Sequence, residues 1–275
     1  MSHEGIECPF CCKPYTRKAW LDKHIQKEHE SPDSIIEVEK DKKQPAHLYA
    51  DFTSVEKYAN NQTIIQFAIK YLKKITGVIL LDSYLLGSTN AFLETKLVSK
   101  KDIHVPQLNK TEYDLIAKQK KCRSRHCSME AYLSDLSDKD FDSLNVCYFD
   151  YMGSIEGCSS SDSFPLEDMQ IVLRSSNQKR IVLATTFSCR SGPKGKFEDR
   201  KTVAEQNEKD FLFPLFQHTQ WKVIEQTQPK VYKREKRSAP MIFSVYVLEK
   251  DTKISAKKAN FIVDTKGRFT GYRAE

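Results

Sequence analysis

The chain has 275 residues, 39% hydrophobic and 29% charged, with 44 Lys+Arg against 37 Asp+Glu and a net charge of +7. That balance excludes a disordered polyelectrolyte and leaves room for a small module ahead of one large core. The longest apolar stretch, Val78 to Leu86, is broken by Asp82 and too short to cross a bilayer, so no membrane association is expected. The mild basic excess favours polyanionic partners, although a solvated lysine-rich surface has the same composition. The eight cysteines form no disulfide framework, and Met-Ser-His-Glu begins no signal region. An intracellular chain with reduced thiols, in nucleus or cytoplasm, is expected.

The first thirty residues carry the strongest pattern. Cys8 and Cys11 are followed, twelve residues on, by His24 and then His29, the spacing C-x2-C-x12-H-x4-H. Two thiolates on a tight turn and two imidazoles on one helix face can close a tetrahedral zinc site. Ile6, Tyr15 and Leu21 stand where a miniature ββα core needs apolar side chains. Residues 1–30 therefore resemble the two-cysteine two-histidine zinc-finger family. The resemblance implies zinc as ligand and Arg17, Trp20 and Lys23 as the side chains facing a nucleic acid. Trp20 is unusual at the middle position and suits an unpaired base or a protein surface equally well. A lone finger spans about three base pairs, too few to specify a site, so it reads as a handle for nucleic acid or for a protein partner.

Residues 31–45 are polar, charged and bounded by prolines, which indicates a linker. From residue 46 to 275 helical and strand-like segments alternate. Helices are expected over 62–74, 90–98, 111–121, 129–136, 166–174 and 198–218. Strands are expected over 78–82, 102–105 (ended by Pro106), 146–150, 180–187, 221–225 and 241–248, with a last hairpin in 260–272. The cluster around Cys122, His126 and Cys127 has no fourth ligand and reads as a basic surface loop. Continuous apolar strands separated by helices predict an α/β domain built on a mostly parallel, doubly covered sheet.

In such a sheet, ligands bind at the carboxyl ends of strands near the switch point. One strand runs into Asp82-Ser83-Tyr84-Leu85-Leu86-Gly87-Ser88, another into Asp150-Tyr151-Met152-Gly153, and a third ends in Thr185-Thr186-Phe187-Ser188. With its closing two-strand hairpin, the chain resembles the class I S-adenosylmethionine-dependent methyltransferases over roughly 62–250. The resemblance implies a Rossmann-like fold, S-adenosylmethionine as cofactor, and Asp82, Gly87, Ser88 and Gln107 as cofactor-binding residues. It also implies Asp150 and Tyr151 as catalytic residues, since Asp-Tyr is similar to the Asp-Pro-Pro-Tyr motif of amino-methylating nucleic-acid enzymes without its prolines. The departures are a single glycine, Gly87, in the first loop and no acid directly after the second strand, where only Gln107 or Asn109 is at hand for a ribose.

Two kinds of function follow. One is methyl transfer to a nucleic acid, with Asp150 orienting an exocyclic amine and Tyr151 stacking on a base or facing the methylsulfonium. The other is a non-catalytic zinc-finger protein that binds nucleic acid or a protein and keeps the sheet as a scaffold. One finger ahead of an enzyme-like body is similar to accessory proteins of large DNA viruses, which would place the chain in a host cell.

Overall fold

The computed structural model describes residues 6–7, 14–15, 19, 55–151, 153–155, 164–188, 205, 208–232, 240–251, 260–263 and 269–273. At the amino end β1 (Ile6–Glu7) pairs antiparallel with β2 (Pro14–Tyr15), Ile6 opposite Tyr15. Helix α1 (Val55–Tyr71) leads to β3 (Val78–Leu80), α2 (Gly87–Glu94) and β4 (Ile103–Gln107). Then come α3 (Lys110–Gln119), β5 (Arg123–His126), α4 (Met129–Ser134), α5 (Asp138–Ser143) and β6 (Val146–Asp150). Helix α6 (Pro165–Ser175) precedes β7 (Arg180–Ser188), and a π-helical turn, Glu208–Leu212, opens into α7 (Phe213–His218). Strands β8 (Trp221–Gln226), β9 (Lys230–Tyr232) and β10 (Met241–Lys250) follow, and β11 (Asn260–Val263) pairs with β12 (Phe269–Arg273).

The main sheet has the order β5-β4-β3-β6-β7-β10-β8, with β9 alongside β10. Strands β5, β4, β3, β6 and β7 are mutually parallel, and β10 runs antiparallel to β7, β8 and β9. The order is that of a doubly wound sheet with one reversed strand inserted near its end. The switch point falls between β3 and β6, the strands that carry Asp82 and Asp150 at their outgoing ends.

Both faces are covered, so each strand alternates between two cores. Cys147 and Phe149 meet Leu133, Leu166, Met169, Leu215 and Trp221 on one face. Val146 and Tyr148 meet Ile64, Ile65, Ala68 and Phe92 on the other. Residue-by-residue alternation across a pleat requires this, and burial on both sides explains the unbroken apolar runs. Trp221 is buried and satisfies its indole N–H by donating to the Leu173 carbonyl at 2.8 Å. Gly77 is fixed by crowding, since a Cβ there would lie 2.9 Å from the backbone carbonyl oxygen of Ser143.

Several expected boundaries move, each for a local reason. Helix α1 begins at Val55 rather than Gln62, because its buried stripe, Lys57-Asn60-Asn61-Ile64-Ile65-Ala68, starts with polar residues that hid the helical period. Strand β4 runs through Pro106 to Gln107; its ladder with β3 involves only Ile103 and His104, so Pro106 withholds no N–H from that neighbour. The expected basic loop after Lys121 is the edge strand β5, whose Arg123 and Arg125 pair with Asp140 and Asp135. Such charges suit an edge that must not recruit another strand. The long helix expected over 198–218 is, among the described residues, the π-helical turn and the short α7.

Candidate functional site

Asp82 stands two residues past the end of β3 and turns its carboxylate onto the start of α2. Oδ2 accepts from the Thr89 N–H at 2.8 Å and Oδ1 from the Ser83 N–H at 3.1 Å. The residue at the cap of α2 is Leu86, which has no polar atom to offer. Asp82 therefore serves as a remote cap, with negative charge placed at the positive end of the helix. Leu86 is buried in the left-handed region at φ 54, where a residue with a Cβ pays roughly 1–2 kcal/mol. This strained turn sets Gly87 and Ser88 at the first positions of the helix, directly after the loop.

Asp150 ends β6 on the face covered by α1. The Lys57 ammonium reaches across the switch point, 3.2 Å from Asp150 Oδ2 and 3.9 Å from Asp82 Oδ1, with all three side chains buried. At the end of β4, Gln107 donates through Nε2 to the Asp82 carbonyl at 3.2 Å and to Glu112 at 2.9 Å. Glu112 is buried on the first turn of α3. Asn109 caps that helix by accepting from the N–H groups of Thr111 and Glu112.

The structure thus brings Asp82, Gln107 and Asp150 to one locus and starts α2 beside them with Gly87 and Ser88. Lys57 and Glu112 are members of this locus that the strand-end motifs do not include. Lys57 opens the buried stripe of α1, at the end where polar residues hide the helical period. Glu112 was legible as the acid three residues after a capping Asn109. Glu112, from the helix that follows, stands beside Gln107 at the end of β4, and Asn109 is occupied as a cap.

Tyr151 takes a different place. It is buried in the core on the other face, with its ring plane parallel to those of Phe149 and Phe187, and its hydroxyl donates to Asp168. This packing offers no free ring face for a base, in contrast to the stacking expected of it. Asp168 lies in the first turn of α6, and burial pushes its carboxyl from 3.8 up to about 7 against the opposing effect of the Tyr151 hydrogen bond.

Buried polar atoms without hydrogen-bond partners lie on the two helices that pack together beside the switch point: Asn60 Nδ2 and Asn61 Oδ1 on α1, Ser88 Oγ and Thr89 Oγ1 on α2. Each such atom costs about 1–3 kcal/mol when left unmade, so their concentration on facing elements marks a place prepared for a polar guest. S-adenosylmethionine presents an ammonium, a carboxylate and ribose hydroxyls. The ammonium of Lys57, the carboxylates of Asp82, Asp150 and Glu112, and the orphaned amides and hydroxyls form a complementary donor set. The residues present fit the group.

The expected zinc ligands Cys8, Cys11, His24 and His29, the contact residues Arg17, Trp20 and Lys23, and the linker 31–45 lie outside the described residues. Among the described residues no group of three or more His, Cys, Asp or Glu is placed to hold a metal. No described helix is long and apolar enough to cross a membrane.

Strand order and the reversed β10 define an α/β Rossmann-like fold with a mixed sheet. No protein-family model matches the chain, and no curated protein matches it in sequence. Among solved structures it is similar to the methyltransferase domain of bacterial CtHen1-C, at 9% identity, over 72% of this chain and 99% of that one, with TM-score 0.45. It is also similar to M. jannaschii TYW2 in complex with AdoMet, at 11% identity, over 70% of this chain and 76% of that one, with TM-score 0.42. A third is geranyl diphosphate C-methyltransferase from Streptomyces coelicolor, at 11% identity, over 69% of this chain and 77% of that one, with TM-score 0.41.

Proposed function

We propose that the chain is an S-adenosylmethionine-dependent methyltransferase acting on a nucleic acid, with Asp150 as its catalytic residue. The observation that carries this is the meeting of Asp82, Gln107, Glu112 and Asp150 at the switch point, with Lys57 bridging two of the acids. Asp82, the first turn of α2 at Gly87 and Ser88, and Gln107 with Glu112 would hold the cofactor. Bound there, S-adenosylmethionine supplies an electrophilic methyl group on a sulfonium.

The chain's own residues do the rest by placement. The Asp150 carboxylate accepts a hydrogen bond from an exocyclic amine and turns the nitrogen lone pair toward the methyl, and orientation of this kind can contribute about 7–11 kcal/mol. Lys57 holds that carboxylate in position. Tyr151 acts through the backbone: its N–H donates to the Thr186 carbonyl at 3.0 Å and its hydroxyl is anchored on Asp168, which fixes the chain just past Asp150.

Calorimetry with S-adenosylmethionine should show binding to the full chain. Labelled methyl transfer to total RNA or DNA should fall about 100-fold or more in Asp150→Asn, the scale of a lost positioning group. No heat with the cofactor would refute the proposal. Nucleic-acid binding that falls steeply with salt and survives Asp150→Ala, without transfer by the native chain, would favour the non-catalytic alternative.

The amino end is proposed to bind zinc through Cys8, Cys11, His24 and His29 and to present Arg17, Trp20 and Lys23 to the nucleic acid. Support comes from the antiparallel pairing of β1 and β2 on either side of the Cys8–Cys11 positions. About one zinc per chain is expected by elemental analysis, falling to none in Cys8→Ser with His24→Ala. Zinc content unchanged by that pair of substitutions would remove the assignment.

A further inference from the structure

The buried stripe of α1 changes character along its length. Ile64, Ile65 and Ala68 pack on the sheet, whereas Lys57, Asn60 and Asn61 turn polar groups toward the same interior. Their i, i+3, i+4 spacing puts the three side chains on one side of the helix. Lys57 from this set meets Asp150 at 3.2 Å and Asp82 at 3.9 Å. Asn60 Nδ2, a donor, and Asn61 Oδ1, an acceptor, are sealed from water with no hydrogen-bond partner. A helix that had only to cover the sheet would do so better with leucines at both positions. Helix α2, which packs against α1, adds two further orphans, Ser88 Oγ and Thr89 Oγ1.

We infer that the first two turns of α1 are the receptor for an α-amino-carboxylate head group. The inference rests on the function proposed above, where that head group is the methionyl end of the cofactor. The α-carboxylate accepts from Lys57 Nζ and Asn60 Nδ2. The α-ammonium donates to Asn61 Oδ1 and to Asp82, whose 3.9 Å contact with Lys57 is the longer of the two, so Lys57 keeps Asp150 at 3.2 Å. Both orphaned amide atoms gain partners, and a zwitterion brings one charge of each sign, so the balance among Lys57 and the acids is kept. A neutral nucleoside offers neither charge. The usual expectation for this kind of sheet assigns the cofactor to the loop after the first strand; here the preceding helix carries the selectivity for the amino-acid end.

The test compares three ligands by calorimetry on the full chain: S-adenosylmethionine, its decarboxylated analogue, and 5′-methylthioadenosine, which lacks the amino-acid end. Loss of the carboxylate should weaken binding about tenfold or more in the native chain, as expected for hydrogen bonds to a charged group. Asn60→Leu removes a buried unsatisfied donor, so it should melt no lower than the native chain. It should nonetheless weaken S-adenosylmethionine by about tenfold while leaving 5′-methylthioadenosine within roughly twofold. Equal affinities for the three ligands, or unchanged S-adenosylmethionine binding in Asn60→Leu, would overturn this inference alone. If no adenosyl ligand binds the native chain, the cofactor assignment falls and this one with it.

Discussion

Lys57→Met is expected to lower the unfolding free energy at neutral pH by about 3–5 kcal/mol, the scale for removing one member of a buried ion pair. The ammonium lies within 3.9 Å of Asp82 and 3.2 Å of Asp150, and neither acid side chain is exposed enough for water to replace it. Methionine keeps the length and apolar stem of lysine, so the loss reports charge rather than volume. For a chain of this size, the melting temperature should drop by roughly 10 °C. Adding Asp150→Asn to Lys57→Met should restore part of the loss, because one of the stranded carboxylates is then neutral. A coupling of about 1 kcal/mol or more in a double-mutant cycle is the expected readout. Strict additivity of the two substitutions would show that the pair does not interact in solution.

Asp168→Asn is expected to change how stability depends on pH. Burial raises the folded-state carboxyl from 3.8 to about 7, so the folded chain holds that proton more tightly than the unfolded chain. The favourable contribution is therefore complete below about pH 4, erodes as pH rises, and is gone above about pH 7. The span corresponds to roughly 4 kcal/mol. Asparagine does not ionise and can still accept from the Tyr151 hydroxyl. The variant should lose this descent and be more stable than the native chain at pH 8, with little difference at pH 4. Urea unfolding at several pH values measures it as the difference between the two proteins, which cancels the other titrating groups. A difference that does not vary with pH would mean the site is wetter than its packing indicates.

Much of the sheet was legible because apolar runs such as Val146–Phe149 and Ile181–Ala184 are buried on both faces and leave an unmistakable pattern. The outgoing ends of those strands, and so Asp82 and Asp150, followed directly. What escaped were features whose cause lies elsewhere in the chain. Strand β5 is polar and exposed, and only its pairing with β4 makes it a strand. Lys57 faces inward because distant carboxylates await it, which no local period discloses, whereas Glu112 is marked by its place after the capping Asn109. The motif resemblance implies a catalytic Tyr151, but Tyr151, one residue past β6, packs with Phe149 in the core on the side opposite Asp150. That one-residue offset separates a group at the switch point from a group in the core.

The reversed strand β10 also bears on how the chain is completed. Its partners include β7, whose residues from Ile181 to Ser188 are all buried, with pairing from Met241–Ser188 to Glu249–Arg180. During synthesis β7 emerges well before Met241 exists. Until then its long apolar edge has open N–H and C=O groups, the template on which chains stick to one another. Products ending ahead of residue 241 would carry that edge permanently, so the last stretch of the sheet protects the nascent protein as much as it finishes the architecture.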